Sequence, residues 1–173
     1  SRSGDLARAN AAMPELRADR TAIDSFIARG GKAIIYQGWQ DPSTNAGPTI
    51  EYYAALARAH GGVGALSDAV RLFMVPGMYH CGGGPGADLF GGSGHLPVAN
   101  GADPTRDMLW ALIRWVEEKR EPDSIVAARN PDGAPGLTRL LCPFPQSARY
   151  RSGAPTGEAG SFTCEEDPVL RAM

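Results

Sequence analysis

The sequence has neither a long apolar run nor an excess of charge of one sign. Its longest apolar stretches are about five residues, whereas a membrane-spanning helix needs roughly 20. The 173 residues include 17 lysines and arginines against 19 aspartates and glutamates, a formal net charge of −2. Because no run of like charges occurs either, the composition argues against a nucleic-acid surface and against a polybasic membrane anchor.

Cysteine is scarce, and its number is odd. Cys81, Cys142 and Cys164 leave at least one thiol without a partner inside this sequence. In a secreted protein such a thiol would suggest a partner elsewhere, and in a cytosolic protein it would mean nothing. The sequence starts at Ser1 without an initiator methionine or an apolar leader. We therefore expect either that an N-terminal segment has been removed by processing or that the sequence is a piece of a larger protein.

Glycine and proline are abundant, with 22 and 14 residues, and predict long fixed loops around a small scaffold. A hydrophobic content of 43% is typical of a globular chain, and the length fits one domain. No repeat or clean boundary divides it. We therefore treat residues 1–173 as one segment of a single domain.

A strand–helix–strand unit is the clearest element of the pattern. Apolar runs at 32–38 and 70–75 predict two buried strands, each ended by a proline turn. Between them, residues 49–59 carry apolar side chains at helical spacing, namely Ile50, Tyr53, Ala54 and Ala57. The connection is long enough for a right-handed crossover between parallel strands, so the fold class is α/β.

The flanking segments are less regular. Residues 1–29 are partly helical by pattern and end at Gly30-Gly31. A glycine-rich loop at 76–101 precedes a helix that we expect to begin at Asp103-Pro104. The apolar stripe predicted for that helix is Leu109, Leu112, Ile113 and Val116. Residues 123–173 are expected to be irregular, with one short strand at 137–141.

Asp41 and His80 each follow one of the two predicted strands. Because sites in open α/β sheets form at the carboxyl ends of strands, we expect these side chains to meet. Their order matches the Asp and His of a Ser–Asp–His triad, in which the carboxylate fixes the imidazole tautomer and Nε2 accepts the serine proton. Taken singly, an Asp-Pro pair is typical of a turn, and a lone histidine in a glycine-rich loop is typical of a structural hydrogen-bonder.

The sequence contains no Gly-x-Ser-x-Gly elbow. Ser93, within Gly91-Gly92-Ser93-Gly94-His95, follows no strand and is interpreted as a loop residue. A hydrolase would therefore take its serine from a segment upstream of Ser1.

Two other site types fit the same loop less well. His80, Cys81, Asp88 and His95 match no compact zinc spacing, so no metal site is predicted. The glycines between Gly82 and Gly86 lack the helix N-terminus and lysine of a phosphate cradle.

Two segments carry a family resemblance. Residues 71–86, RLFMVPGMYHCGGGPG, resemble the His-bearing loop of the tannase and feruloyl esterase family. Residues 30–42, GGKAIIYQGWQDP, resemble its Asp-bearing segment, and the likeness extends from about 23 to 164. It implies the C-terminal portion of an α/β-hydrolase fold, with the nucleophile elbow and the lid absent. It also implies hydrolysis of esters of aromatic acids, with Asp41 and His80 as the triad Asp and His.

The resemblance further implies two disulfides. Cys81 would pair with a cysteine that precedes the missing serine, and Cys142 would pair with Cys164. Both need an oxidising compartment, so a secreted or periplasmic protein is expected. The partners are then a small aromatic ester and the missing N-terminal part of the same chain. No cofactor is expected in this segment, although the family's lid holds calcium.

Substitutions at Ser43, Thr44 and Tyr79 depart from the family's common residues and blur the substrate class. We expect the isolated chain to be inactive and marginally stable, since two strands leave an unpaired sheet edge. Two alternatives stay open: a non-catalytic α/β binding or accessory domain, and another serine hydrolase, such as a peptidase or a dienelactone-type enzyme.

Overall fold

The structure is a computed structural model that describes residues 2–14, 19–92, 102–129 and 136–173. Its helices are α1 (Arg2–Ala12), α2 (Asp24–Ala28), α3 (Ala46–Ala59), α4 (Val63–Ser67), α5 (Met108–Glu118) and α6 (Pro168–Arg171). Its strands are β1 (Ala33–Gly38), β2 (Val70–Val75), β3 (Ile125–Ala128), β4 (Thr138–Leu141), β5 (Gln146–Tyr150) and β6 (Phe162–Glu166). Among the described helices, none is both long and apolar enough to cross a membrane.

The predicted strand–helix–strand unit is confirmed. Strands β1 and β2 pair in parallel, from Ala33 opposite Val70 to Gly38 opposite Val75. Helix α3 connects them through α4 and begins at Ala46, three residues before the predicted start. The difference comes from Asn45, whose side chain accepts a hydrogen bond from the Gly47 N–H at 2.8 Å and so caps the helix earlier.

Strand β2 separates two apolar cores. All six of its residues are buried, as expected for a strand covered on both faces. Leu72 packs on one face with α3 and α4, and Phe73 and Val75 pack on the other with α5 and the β3–β4 pair. This alternation follows from the two-residue period of a strand. The sheet is therefore the middle layer of an α/β sandwich.

The predicted start of α5 at Asp103-Pro104 is wrong. The Asp103 carboxylate instead accepts hydrogen bonds from the backbone N–H and the hydroxyl of Thr105 and closes a local turn. Asp107 caps the helix, accepting from Leu109 N–H at 2.8 Å and Trp110 N–H at 3.1 Å. Both aspartates suit an N-cap, and only the second is followed directly by a helical turn.

The apolar stripe predicted for α5 is wrong as well. The buried residues are Met108, Ala111 and Trp115, whereas Leu109 is 60% and Val116 43% exposed. The helix is apolar on two sides, and spacing alone does not show which side meets the sheet. As a result, an apolar face of α5 is open in this chain.

The expectation of an irregular C-terminal region is also wrong. The strand predicted at 137–141 corresponds to β4, which pairs antiparallel with β3, and β5 pairs antiparallel with β6. The sequences of β5 and β6, QSARY and FTCEE, are polar and half-exposed, so they lack the apolar run that marks a strand. Cys142 and Cys164 form a disulfide, the pairing that the resemblance implied.

Candidate active site

Parallel pairing brings the ends of β1 and β2 to one edge of the sheet. Gly38, the last residue of β1, lies directly against the backbone of the two residues before His80. A Cβ at Gly38 would collide with the carbonyl oxygens of Met78 and Tyr79. The N–H of Gln40 donates to the Met78 carbonyl at 3.2 Å. The loop that bears Asp41 is thus held directly against the loop that bears His80.

Asp41 and His80 are hydrogen-bonded, with Nδ1 of His80 2.8 Å from Oδ2 of Asp41. Since a carboxylate can only accept, Nδ1 carries the proton of the neutral ring, and Nε2 keeps a lone pair. The Asp41 side chain is 3% exposed, whereas that of His80 is 55% exposed. The pair therefore joins a shielded carboxylate to an accessible base.

The Asp41 carboxylate is held by four donors. Oδ1 accepts from the N–H groups of Ser43 at 2.8 Å and Thr44 at 2.9 Å. Oδ2 accepts from Gln37 Nε2 at 3.1 Å as well as from His80. Desolvation on its own would raise the pKa of Asp41, but the bonds from Thr44, His80, Ser43 and Gln37 hold that pKa well below its ordinary value of 3.8.

The glycine-rich loop around His80 folds back on itself. Gly86 N–H donates to the Gly77 carbonyl at 3.0 Å, and a Cβ on either glycine would collide with the backbone of the opposite strand of the loop. The Tyr79 N–H donates to the Gly83 carbonyl at 3.2 Å. The close approach of the two sides of the loop therefore requires glycine at these positions. The closed loop fixes the backbone of Tyr79, the residue before His80.

Cys81, the residue after His80, is an exposed free thiol with φ of +61°. This left-handed conformation is uncommon for a residue with a side chain. A cavity of about 70 Å³ lies between the two loops and is lined by Tyr36, Met78, His80 and Cys81 among others. A larger cavity of about 710 Å³, beside Arg71 and Arg171, includes neither member of the Asp–His pair.

Within the described ranges of the chain, no other candidate residue joins this pair. Ser93 and His95 lie outside the described residues. Asp88 accepts a hydrogen bond from Gly83 N–H at 2.6 Å, which gives it a role in closing the loop. In the part of the chain that the structure describes, no three His, Cys, Asp or Glu side chains come together as a metal site would require.

Sequence reasoning missed Gln37 and Thr49. The Gln37 side chain contacts Asp41, and its Oε1 accepts a hydrogen bond from the Thr49 hydroxyl at 3.2 Å. The available signal was an amide inside an otherwise apolar strand, four residues before Asp41. Polar groups in such a position are expected to have specific partners.

Comparison with known proteins identifies relatives. Residues 6–165 match the family described as "Tannase and feruloyl esterase". The chain is 38% identical over 154 residues to the mono(2-hydroxyethyl) terephthalate hydrolase of Piscinibacter sakaiensis, covering 87% of this chain and 22% of that protein. It is also 38% identical over 167 residues to an uncharacterized esterase of Xanthomonas campestris, covering 87% of this chain and 29% of that one.

The fold is shared with a solved enzyme. The structure superposes on feruloyl esterase B from Aspergillus oryzae with a TM-score of 0.84 and 27% identity, covering 94% of this chain and 32% of that one. The chain thus spans between a fifth and a third of the length of these relatives. Its helices and strands have the arrangement found in an esterase.

Proposed function

The chain belongs to the tannase and feruloyl esterase family, and we propose that it carries the Asp and His of a serine carboxylic-ester hydrolase. The hydrogen bond between Asp41 and His80 is the observation that carries this proposal. A shielded carboxylate on Nδ1 and an accessible ring are the features that a general base of this kind requires.

In the proposed reaction, Nε2 of His80 removes the proton of a serine hydroxyl that attacks the ester carbonyl. The imidazolium then protonates the departing alcohol, and a second cycle with water releases the acid. Asp41 stays ionised throughout, because its four hydrogen bonds favour the carboxylate. It holds the tautomer and stabilises the positive charge on the ring.

We place the serine, the oxyanion donors and the lid outside this sequence, in a longer chain. Support comes from length, since the relatives are three to five times longer than the portion matched. Support also comes from β1. Among the described strands it pairs with β2 alone, so its other edge has no partner strand there. The open apolar face of α5, with Leu109 and Val116 exposed, is a second surface that a larger hydrolase domain would cover.

Cys81 is proposed to pair with a cysteine near that serine. Its exposure and its place next to His80 suit a bond that would tie the two catalytic loops together. With the Cys142–Cys164 bond, this pairing favours an oxidising compartment, secreted or periplasmic. Thiol titration of the folded longer protein tests the bond, and a freely reactive Cys81 would contradict it.

The substrate is proposed to be an ester of an aromatic acid. Two relatives are named for such esters, one of terephthalate and one of ferulate. The exposed ring of Tyr79, next to His80, supplies an aromatic surface at the site.

Hydrolysis of a feruloyl or terephthaloyl ester by the longer protein tests the proposal. His80→Gln should lower kcat by at least about 1,000-fold, because the general base is lost. His60→Gln is the matched control, since the His60 ring contacts the Thr21 carbonyl at 2.8 Å and the Asp24 carboxylate at 3.7 Å, neither of them part of the Asp–His pair, and it should retain activity.

The 173-residue chain alone should show no saturable hydrolysis. Activity of the isolated chain that is abolished by Ser93→Ala would contradict the proposal. So would full activity of His80→Gln in the longer protein.

A further inference from the structure

We propose that Gln37, fixed by Thr49, is a positioning residue for the Asp41–His80 pair. Gln37 lies in β1, one residue before its end, and Thr49 lies in the first turns of α3. Their side chains link the strand, the helix and the Asp41 carboxylate in one chain of hydrogen bonds. The role as a positioning residue for catalysis rests on the proposed function.

The orientation of the Gln37 amide follows from its neighbours. Its Nε2 lies 3.1 Å from Asp41 Oδ2, 3.1 Å from the Thr44 carbonyl and 3.4 Å from the Gly38 carbonyl, and all three are acceptors. Its Oε1 lies 3.2 Å from the Thr49 hydroxyl, which can donate. A flipped amide would place oxygen against three oxygens, so only one orientation satisfies the site.

Gln37 acts on the carboxylate oxygen that His80 uses. Oδ2 of Asp41 accepts from Nδ1 of His80 and from Nε2 of Gln37, while Oδ1 accepts from two backbone N–H groups. The amide also bridges Asp41 to the Thr44 carbonyl and so braces the loop that follows β1. Without that donor, Oδ2 could rotate away from Nδ1 while the backbone bonds to Oδ1 persist.

Thr49 helps to hold Gln37 in this position. Its hydroxyl is the partner of Oε1, and Asn45 caps the start of the same helix. Loss of the hydroxyl removes this contact to Oε1, so the amide keeps its three Nε2 acceptors but is held less firmly. We therefore expect the same shift in the His80 tautomer from substitution of Gln37 in β1 and of Thr49 in α3.

The readout is the tautomer of His80, measured by 15N spectra of the histidine-labelled longer protein. His80→Gln assigns the signal of His80. In the wild type we expect the Nδ1–H form as the major neutral form. Gln37→Glu replaces the donor with an oxygen of similar size, and should shift His80 towards a mixture of tautomers.

A second pair of variants keeps the test decisive if Gln37→Glu fails to fold. Thr49→Val removes the hydroxyl and should shift the tautomer, whereas Thr49→Ser keeps the hydroxyl and should restore the wild-type spectrum. Thr163→Val is the matched control, because the Thr163 hydroxyl bonds Glu165 on β6, away from the site. In the longer protein, Thr49→Val should lower kcat about tenfold with KM unchanged.

An unchanged His80 tautomer in Thr49→Val, or a defect in Thr49→Ser equal to that in Thr49→Val, would overturn the inference. Because the tautomer is measured without substrate, failure of this inference can be distinguished from failure of the proposed function. A shift in Thr49→Val combined with an inactive wild-type enzyme would support the hydrogen-bonded positioning of Asp41 and overturn the esterase.

Discussion

Asp41 and His80 are partners in one hydrogen bond, yet their surroundings are opposite. The Asp41 carboxylate receives four hydrogen bonds and is 3% exposed. Among the residues that the structure describes, His80 has one side-chain hydrogen bond, to Asp41, and is 55% exposed. The carboxylate half of the pair is complete within this chain, whereas the imidazole half is open to a further partner.

The difference shows which part of the proposed catalytic pair a local segment can build. Asp41 is held by its own turn, by β1 and by the loop after β2, all within about 40 residues of sequence. In the proposed reaction, the nucleophile would reach His80 from another element. Preorganisation of the carboxylate fixes the direction of the imidazole before any nucleophile or substrate arrives.

The largest effect on folding stability is expected from Gly38→Ala, which would separate the two halves of the pair. The added methyl group would collide with the backbone at Met78 and Tyr79 and push the two loops apart. We expect a loss of about 1–3 kcal/mol in the free energy of unfolding. Hydrolysis by the longer protein should fall about 100-fold.

Gly64→Ala is the matched control for Gly38→Ala. Gly64 lies in α4, and a Cβ there would meet nothing within 4 Å. Its substitution should be neutral or slightly stabilising, because alanine favours a helix. Equal stability of the two variants, measured by urea unfolding, would contradict the close approach at Gly38.

A smaller effect on stability is expected at acidic pH, where it tests whether the fold holds Asp41 in its ionised form. The pKa of Asp41 is lowered in the folded chain, so the ionised carboxylate stabilises the fold above its ordinary pKa of 3.8. That stabilisation should be fully present above about pH 5 and decline as the pH falls below 4. Asp41→Asn lacks this contribution at every pH.

Thermal unfolding at several pH values measures the difference. The wild type should lose stability relative to Asp41→Asn between about pH 5 and 2. Asp103 and Asp167, whose pKa values are also lowered by hydrogen bonds, are present in both proteins and cancel. A difference in Tm that does not change with pH would mean that Asp41 is not specifically held in its ionised form.

The position of Asp41 and His80 could be predicted from sequence because it depends on local signals. Each follows an apolar strand, and parallel pairing brings the strand ends together without further information. The exposed side of α5 could not be predicted, since Leu109 and Met108 are equally apolar and only the sheet distinguishes them. The bond between Gln37 and Thr49 joins residues 12 apart whose side chains meet only after α3 has packed.

Strands β5 and β6 were missed for a related reason. Their pairing places Ala148 opposite Cys164 and Tyr150 opposite Phe162, on segments that are otherwise polar. The Cys142–Cys164 bond and the antiparallel pairing join these segments, which have no apolar run. Local composition does not contain such information.

The most direct test of the account is the rate of ester hydrolysis by Asp41→Asn in the longer protein. Asp68→Asn, on an exposed turn after α4, is the matched control. If Asp41 fixes the tautomer of a catalytic His80, kcat should fall about 10,000-fold in Asp41→Asn and stay unchanged in Asp68→Asn. Equal rates for the two variants would contradict the assignment of Asp41 and His80 as the acid–base pair.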